Sequence, residues 1–131
     1  MTNKSGNKGE WSEIYAFIKL LKDGKIYAAN ENLNRISDDM YYSIIKILRE
    51  EIQGEKYDYY TGEKIRIYHN GIFVQEFEIQ YFLEQSKFLY DEMFAHKKGN
   101  IQSQALETFN NFLNSVFVTK IKAGSLERLI L

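Results

Sequence analysis

The sequence contains no cysteine and no proline. Without cysteine, disulfides and thiolate metal sites are excluded, so an apolar core must hold the fold. An unbridged chain suits a reducing compartment, and a bacterial cytoplasmic location is expected. The lack of proline removes one common marker of linkers and boundaries. No run approaches the roughly 18 apolar residues of a membrane span, and the polar start Met1–Glu10 is unlike a signal peptide. No Gly-x-x-x-x-Gly-Lys or Gly-x-Gly-x-x-Gly phosphate loop occurs. The histidines are His69 and His96. One falls at a predicted turn and the other at a predicted helix end, positions that solvent usually reaches. With no thiol and two such histidines, a nucleophilic triad is hard to assemble, and the histidines share no helical face with a pair of acids to make a hydrolytic zinc site.

Of the 131 residues, 44% are hydrophobic and 27% charged, which places the chain among single globular domains rather than disordered segments. Its net charge of −1 is unevenly spread. Residues 1–92 hold 12 basic and 16 acidic side chains, against 5 and 2 in residues 93–131. The acidic body argues against a general polyanion binder, while the basic tail offers Lys97, Lys98, Lys120 and Lys122 as candidate phosphate contacts.

Apolar residues at Trp11, Ile14, Tyr15, Ile18 and Leu21 recur with helical period, predicting a helix over Glu10–Leu21 that Gly24 ends. Lys25–Ala29 reads as extended and Asn30–Asn34 as a turn. Met40, Ile44, Ile47 and Leu48 predict a helix through Tyr41–Ile52, capped by Ser37 or Asp38. The density of Tyr and Ile there makes a strand between Tyr41 and Leu48 the rival. Lys56–Tyr60, Glu63–Tyr68 and Gly71–Phe77 are short β-rich runs, and Asn70-Gly71 is a tight-hairpin signal. Helical period returns from Glu78 through Phe94, with Gly99 as its stop. Ser103 is placed to cap a further helix through Val116. Phe117–Lys122 is a short strand candidate. The fold class expected is α+β: an opening helix, a small antiparallel meander and two helices in the second half. Residues 1–9 are a flexible start, 10–125 one domain, and 126–131 a truncated or divergent tail.

Acidic side chains suggest little chemistry. Asp23-Gly24-Lys25 matches the second half of a metal-nuclease signature, but at a turn rather than mid-strand, and short matches of this kind arise by chance. Asp38-Asp39 and Glu50-Glu51 are adjacent pairs whose side chains would diverge by about 100° on a helix. Glu10 and Glu13 share a helical face, yet acids in a first turn are explained by the helix dipole. Tyr57, Tyr59 and Tyr60 are either a stacking platform for bases or the ordinary lining of a sheet. No complete active site is visible, and no catalytic residue is assigned.

The opening Gly9-Glu10-Trp11-Ser12-Glu13-Ile14-Tyr15, the Lys19-Leu20-Leu21-Lys22 helix and Asp23-Gly24-Lys25 resemble the start of HpaII-type type II restriction endonucleases. Asn32-Leu33-Asn34-Arg35-Ile36 and Tyr41-Tyr42-Ser43-Ile44-Ile45-Lys46-Ile47-Leu48-Arg49-Glu50-Glu51 extend the match. Where this chain has Ser43 the family usually has Pro, which favours the strand reading there. The resemblance implies a site-specific, magnesium-dependent endonuclease acting on double-stranded DNA at CCGG, whose intact members are much longer. It places the catalytic strand just beyond the segment matching Lys120–Ser125, after which this chain departs from the pattern. The function expected is therefore an N-terminal, DNA-contacting or scaffold portion of such an enzyme. The intact enzyme would use Mg2+, with no cofactor held by this chain. The alternative is a small interaction module that dimerises through its aromatic surface without a nucleic-acid role.

Overall fold

The computed structural model describes residues 5–6, 8–52, 54–95, 101–102, 107–119 and 126–131. Helix α1 runs from Lys8 to Asp23, two residues longer at each end than its apolar repeat predicts. Its apolar stripe Trp11, Ile14, Phe17, Ile18 and Leu21 is buried. Gly24 then takes the left-handed conformation (φ 67°) and donates its N–H to Leu20 C=O at 2.8 Å, the helix stop expected of glycine.

Ser5–Gly6 (β1) and Lys25–Tyr27 (β2) flank this helix, and β2 pairs antiparallel with β3, Tyr41–Ser43. The hairpin extends outward from β2 and β3 through the Ala29↔Arg35 bridge to a three-residue loop, Glu31–Leu33. Asn30 N–H bonds Asn34 C=O at 2.8 Å, and Leu33 N–H bonds Asn30 C=O at 2.9 Å. The Asn30 Oδ1 also accepts the N–H groups of Asn32 and Asn34. Such loops place their last residue in the left-handed region, normally a glycine, and here Leu33 adopts φ 64°.

The main sheet is entirely antiparallel and ordered β7-β6-β5-β4-β9. Its strands are β4 (Lys46–Ile52), β5 (Glu55–Tyr60), β6 (Lys64–His69), β7 (Ile72–Glu78) and β9 (Leu126–Ile130). The three-strand meander forms as predicted, and the Asn70-Gly71 turn has positive φ at both residues (48° and 86°), as a type I′ turn requires. Asn70 also joins β5: its N–H bonds Lys56 C=O at 2.8 Å and its Oδ1 accepts Lys56 N–H at 2.9 Å.

The helix expected through Tyr41–Ile52 is instead the two strands β3 and β4. Alternation is the reason. Ile47 and Arg49 face the core while Lys46, Leu48 and Glu50 are less buried, so burial follows the two-residue period of a strand. Leu126–Ile130, for which no element was expected, pairs with β4 from Lys46↔Ile130 to Glu50↔Leu126. The strand expected from Phe117 does not form over Phe117–Thr119: Phe117 takes a turn (φ 68°) and Val118 N–H bonds Leu113 C=O at 2.9 Å instead, while residues 120–122 of that candidate, with Gly99 and Ser103, lie outside the described residues.

Helices α2 (Ile79–Ala95) and α3 (Glu107–Ser115), with β8 (Ile101–Gln102) between them, complete the order, and β8 pairs with β1. One core joins α1, α2, α3 and the inward sheet residues Ile47, Tyr59, Ile65 and Ile67. Aromatic contacts bind its layers: Phe17 meets Tyr59 edge-on at 4.9 Å, Phe82 meets Phe112 at 5.1 Å and Trp11 meets Phe109 at 5.9 Å. Tyr59 is fully buried and donates its hydroxyl to Val116 C=O at 2.6 Å, tying the sheet to the end of α3. The helices thus cover one sheet face, leaving the β2–β3 hairpin to project beside α1.

Candidate nucleic-acid interface

The last turn of α1 and the hairpin after it bring four cations together. Lys19 and Lys22 lie three apart on one helical face, and both reach the carboxylate of Asp23, at 2.9 Å each. Burial acts to raise the Asp23 carboxyl, but hydrogen bonds from Lys19 and Lys22 outweigh it and hold the group below the usual carboxylate range. The hydrogen bond to Asp23 correspondingly holds the Lys19 ammonium above its ordinary value. One carboxylate therefore fixes two lysines without neutralising both.

Across the groove, the Arg35 guanidinium lies 3.5 Å above the Tyr27 ring and pairs with Asp38 at 3.0 Å. Tyr27 meets Tyr41 at 5.9 Å, and Lys25 Nζ sits 4.3 Å above the Tyr41 ring. The four side chains form a column, cation–ring–ring–cation. Each cation is oriented by an aromatic face, and Arg35, one of whose N–H groups is taken by Asp38, has further donors in its guanidinium with which to meet an anion. Between this column and α1 lies an open cleft of about 310 Å³, lined by Tyr15, Lys19, Asp23, Lys25, Tyr27 and Arg35. Lys19, Lys25 and Arg35 against Asp23, and Asp38 beside Arg35, leave the cleft net positive in an otherwise acidic body, with Lys22 held on Asp23 just outside it.

A second polar cluster occupies the sheet face turned away from the helices. Lys46 contacts Asp58 at 3.3 Å and donates to the Tyr60 hydroxyl at 3.2 Å. The Tyr60 hydrogen bond, then that to Asp58, raises the Lys46 ammonium above its ordinary value. Arg66 and Tyr68 complete a shallow depression with Asp58 and Tyr60. Here Lys64 is answered by Glu76 and Glu78, so the face is charge-balanced and presents less net attraction to phosphate.

The sequence-predicted positions fare differently. Lys97, Lys98, Lys120 and Lys122 lie outside the described residues, as does His96. His69 contacts Glu55 and stacks on Tyr57 at 4.5 Å, a support for the hairpin rather than a free imidazole. The three tyrosines divide: Tyr59 is core, Tyr57 stacks between His69 and Phe117, and Tyr60 faces the outer sheet surface. Asp23 and Lys25 do not converge on a metal position, since Asp23 is held by Lys19 and Lys22 while Lys25 turns to Tyr41. Among the described residues no three His, Asp or Glu side chains are grouped to hold a metal ion. The described residues therefore do not fit the magnesium that the resemblance implies. Among those residues, too, no helix is long and apolar enough to cross a membrane.

Sequence reasoning missed the cleft of Lys19, Lys25 and Arg35, with Lys22 beside it. Its local signal, two lysines three apart at a helix end, is common, and Glu31, Asp38 and Asp39 mask the positive charge when residues are counted along the chain.

Comparison with known proteins gives the cleft a setting. The profile of the HpaII restriction endonuclease family matches residues 7–129, past the point at Ser125 where the resemblance was expected to end. The chain is 34% identical over 124 residues to the type II restriction enzyme HpaII of Haemophilus parainfluenzae, covering 92% of this chain. It spans 33%, about a third, of that relative's length. No solved structure matches it. The chain belongs to the HpaII restriction endonuclease family.

Proposed function

We propose that this chain is an N-terminal, DNA-contacting domain of a type II restriction endonuclease, comprising residues 10–125 and acting in the cytoplasm on double-stranded DNA. The observation that carries the reading is the cationic cleft between α1 and the β2–β3 hairpin, found in a member of a DNA-cutting family. Its lysines and Arg35 are positioned to neutralise phosphates, which fixes a protein on duplex DNA without reading sequence. Lys97, Lys98, Lys120 and Lys122 are proposed to extend the same contact. In the whole enzyme, residues outside those described would hold Mg2+ and form the nuclease centre, with CCGG the target that the family resemblance implies. A dimerisation role is the second reading, favoured by Ile72, Phe73 and Val74, which lie exposed on the edge strand β7.

Fluorescence anisotropy with CCGG and scrambled duplexes, from about 20 to 200 mM salt, tests the proposal across the range where screening changes most. Each phosphate contact contributes about −0.9 to the log–log salt slope, so four give about −3.6. Salt-sensitive binding is expected. A flat trace at the lowest salt refutes the DNA-contacting reading and leaves the dimerisation reading.

A further inference from the structure

The tip of the β2–β3 hairpin has a feature that the fold does not use. Leu33 is 87% exposed and holds a left-handed backbone, the conformation its loop would more readily give to glycine. An exposed leucine there buries almost nothing and strains the backbone, so intramolecular stability does not account for it. Every residue from Ala29 to Ile36 is exposed. The Asn32 and Asn34 side chains and Glu31 stand beside Leu33 on the loop, and the bonds that shape the loop use Asn30 Oδ1 and backbone groups.

We infer that this tip enters the major groove of duplex DNA while the cleft at its base seats phosphates, making Leu33 and Asn32 groove-contacting residues. The inference rests on the DNA-contacting reading proposed above. Three observations support it. A two-stranded ribbon is one of the two elements that a major groove admits, and the groove is about 8.5 Å deep. Beyond the Ala29↔Arg35 bridge one further residue on each side adds about 3.3 Å of strand rise, and the loop Glu31–Leu33 with its side chains carries the tip further. The side chains also suit the floor of the groove. A carboxylate accepts from the cytosine amino group, which CCGG offers, whereas asparagine pairs with adenine and an apolar chain meets the thymine methyl, both in base pairs flanking that site. Finally, Lys19, Lys25 and Arg35 lie at the root of the ribbon, where the groove's phosphate rims would fall. A negative Glu31 at the tip is disfavoured beside phosphates but matched to a base edge.

The test measures duplex binding by the full 131-residue chain, its Leu33→Gly and Asn32→Ala variants, and Lys19→Ala as a phosphate-contact control. Leu33→Gly is expected to weaken binding by about fivefold or more, the scale of one lost base contact, with the salt slope unchanged. Asn32→Ala is expected to reduce discrimination between duplexes of different sequence, whereas Lys19→Ala makes the slope shallower by about 0.9. If the wild type binds and Leu33→Gly binds equally well, the groove assignment is overturned and the DNA-contacting reading stands. If the wild type does not bind at low salt, both fall. Light scattering on the same samples covers the remaining case. Loss of self-association in Leu33→Gly with unchanged DNA binding would show the tip to be a protein contact and overturn the proposal.

Discussion

Comparing Leu33→Gly with Leu33→Ala isolates the backbone contribution at the hairpin tip. Both variants remove the leucine side chain beyond Cβ, and at 87% exposure that loss costs only about 0.3 kcal/mol of burial in either case. Alanine retains the Cβ that clashes in the left-handed region, a penalty of about 1–2 kcal/mol at φ 64°. Glycine escapes it but orders a more flexible unfolded chain, which returns about 0.5–1 kcal/mol. The glycine variant should therefore be more stable than the alanine variant by about 0.5–1 kcal/mol, and close to the wild type or slightly above it. Urea unfolding followed by circular dichroism reads this as a shift in midpoint at constant slope. An alanine variant as stable as the glycine variant would refute the claim that position 33 is strained. Leu33 would then hold its left-handed backbone at no cost, whatever the binding data show.

Tyr59→Phe removes the hydroxyl that donates to the Val116 carbonyl within a buried contact, so a loss of about 1–3 kcal/mol is expected in the same unfolding assay, and a loss below about 0.5 kcal/mol would contradict it. Because the folded carboxyl of Asp23 lies below its unfolded value, its stabilisation is present above about pH 4 and is lost as pH falls through the folded value. The stability gap between wild type and Asp23→Asn should thus be level above about pH 5 and narrow as pH falls below about 4; the pair is partly solvated, so the gap should be about 0.5 kcal/mol, and one that widened on acidification would reverse the assignment. Incubated with CCGG-containing plasmid and Mg2+, the chain alone is expected not to cut, and specific cleavage would place a nuclease centre within these 131 residues.

Local signals made most of the architecture legible. The helical stripe from Trp11 to Leu21, the Gly24 stop and the Asn70-Gly71 turn are decided by residues close in sequence, and the structure has each of them. The reading of Tyr41–Ile52 as helix failed because β4 carries Arg49 inward and Leu48 outward, which blurs the apolar alternation of a strand. Arg49 is accommodated by the Phe17 ring, 4.8 Å from its guanidinium, a contact between distant segments that no local window contains. Strand β9 was equally hidden, since Leu-Glu-Arg-Leu-Ile has neither turn signal nor clean period, and its pairing with β4 is entirely long-range. The cleft follows the same logic. Lys19 and Arg35 come together because the chain reverses at Gly24 and again at Glu31–Leu33, so charge counted along the sequence averages away what folding concentrates.

The place of β9 in the sheet also bears on the order in which the chain assembles. The links β5–β6 and β6–β7 close over tight turns, whereas β4 and β9 meet from about 80 residues apart. Under a (3/2)RT ln n dependence, closing that loop costs about 2–3 kcal/mol more than closing a hairpin a few residues long. The meander is therefore suited to act as an early nucleus, with the β4–β9 edge added once the helices have docked. Until then β4 carries one row of unpaired backbone groups, so the step most exposed to mispairing during folding is the capture of its final neighbour.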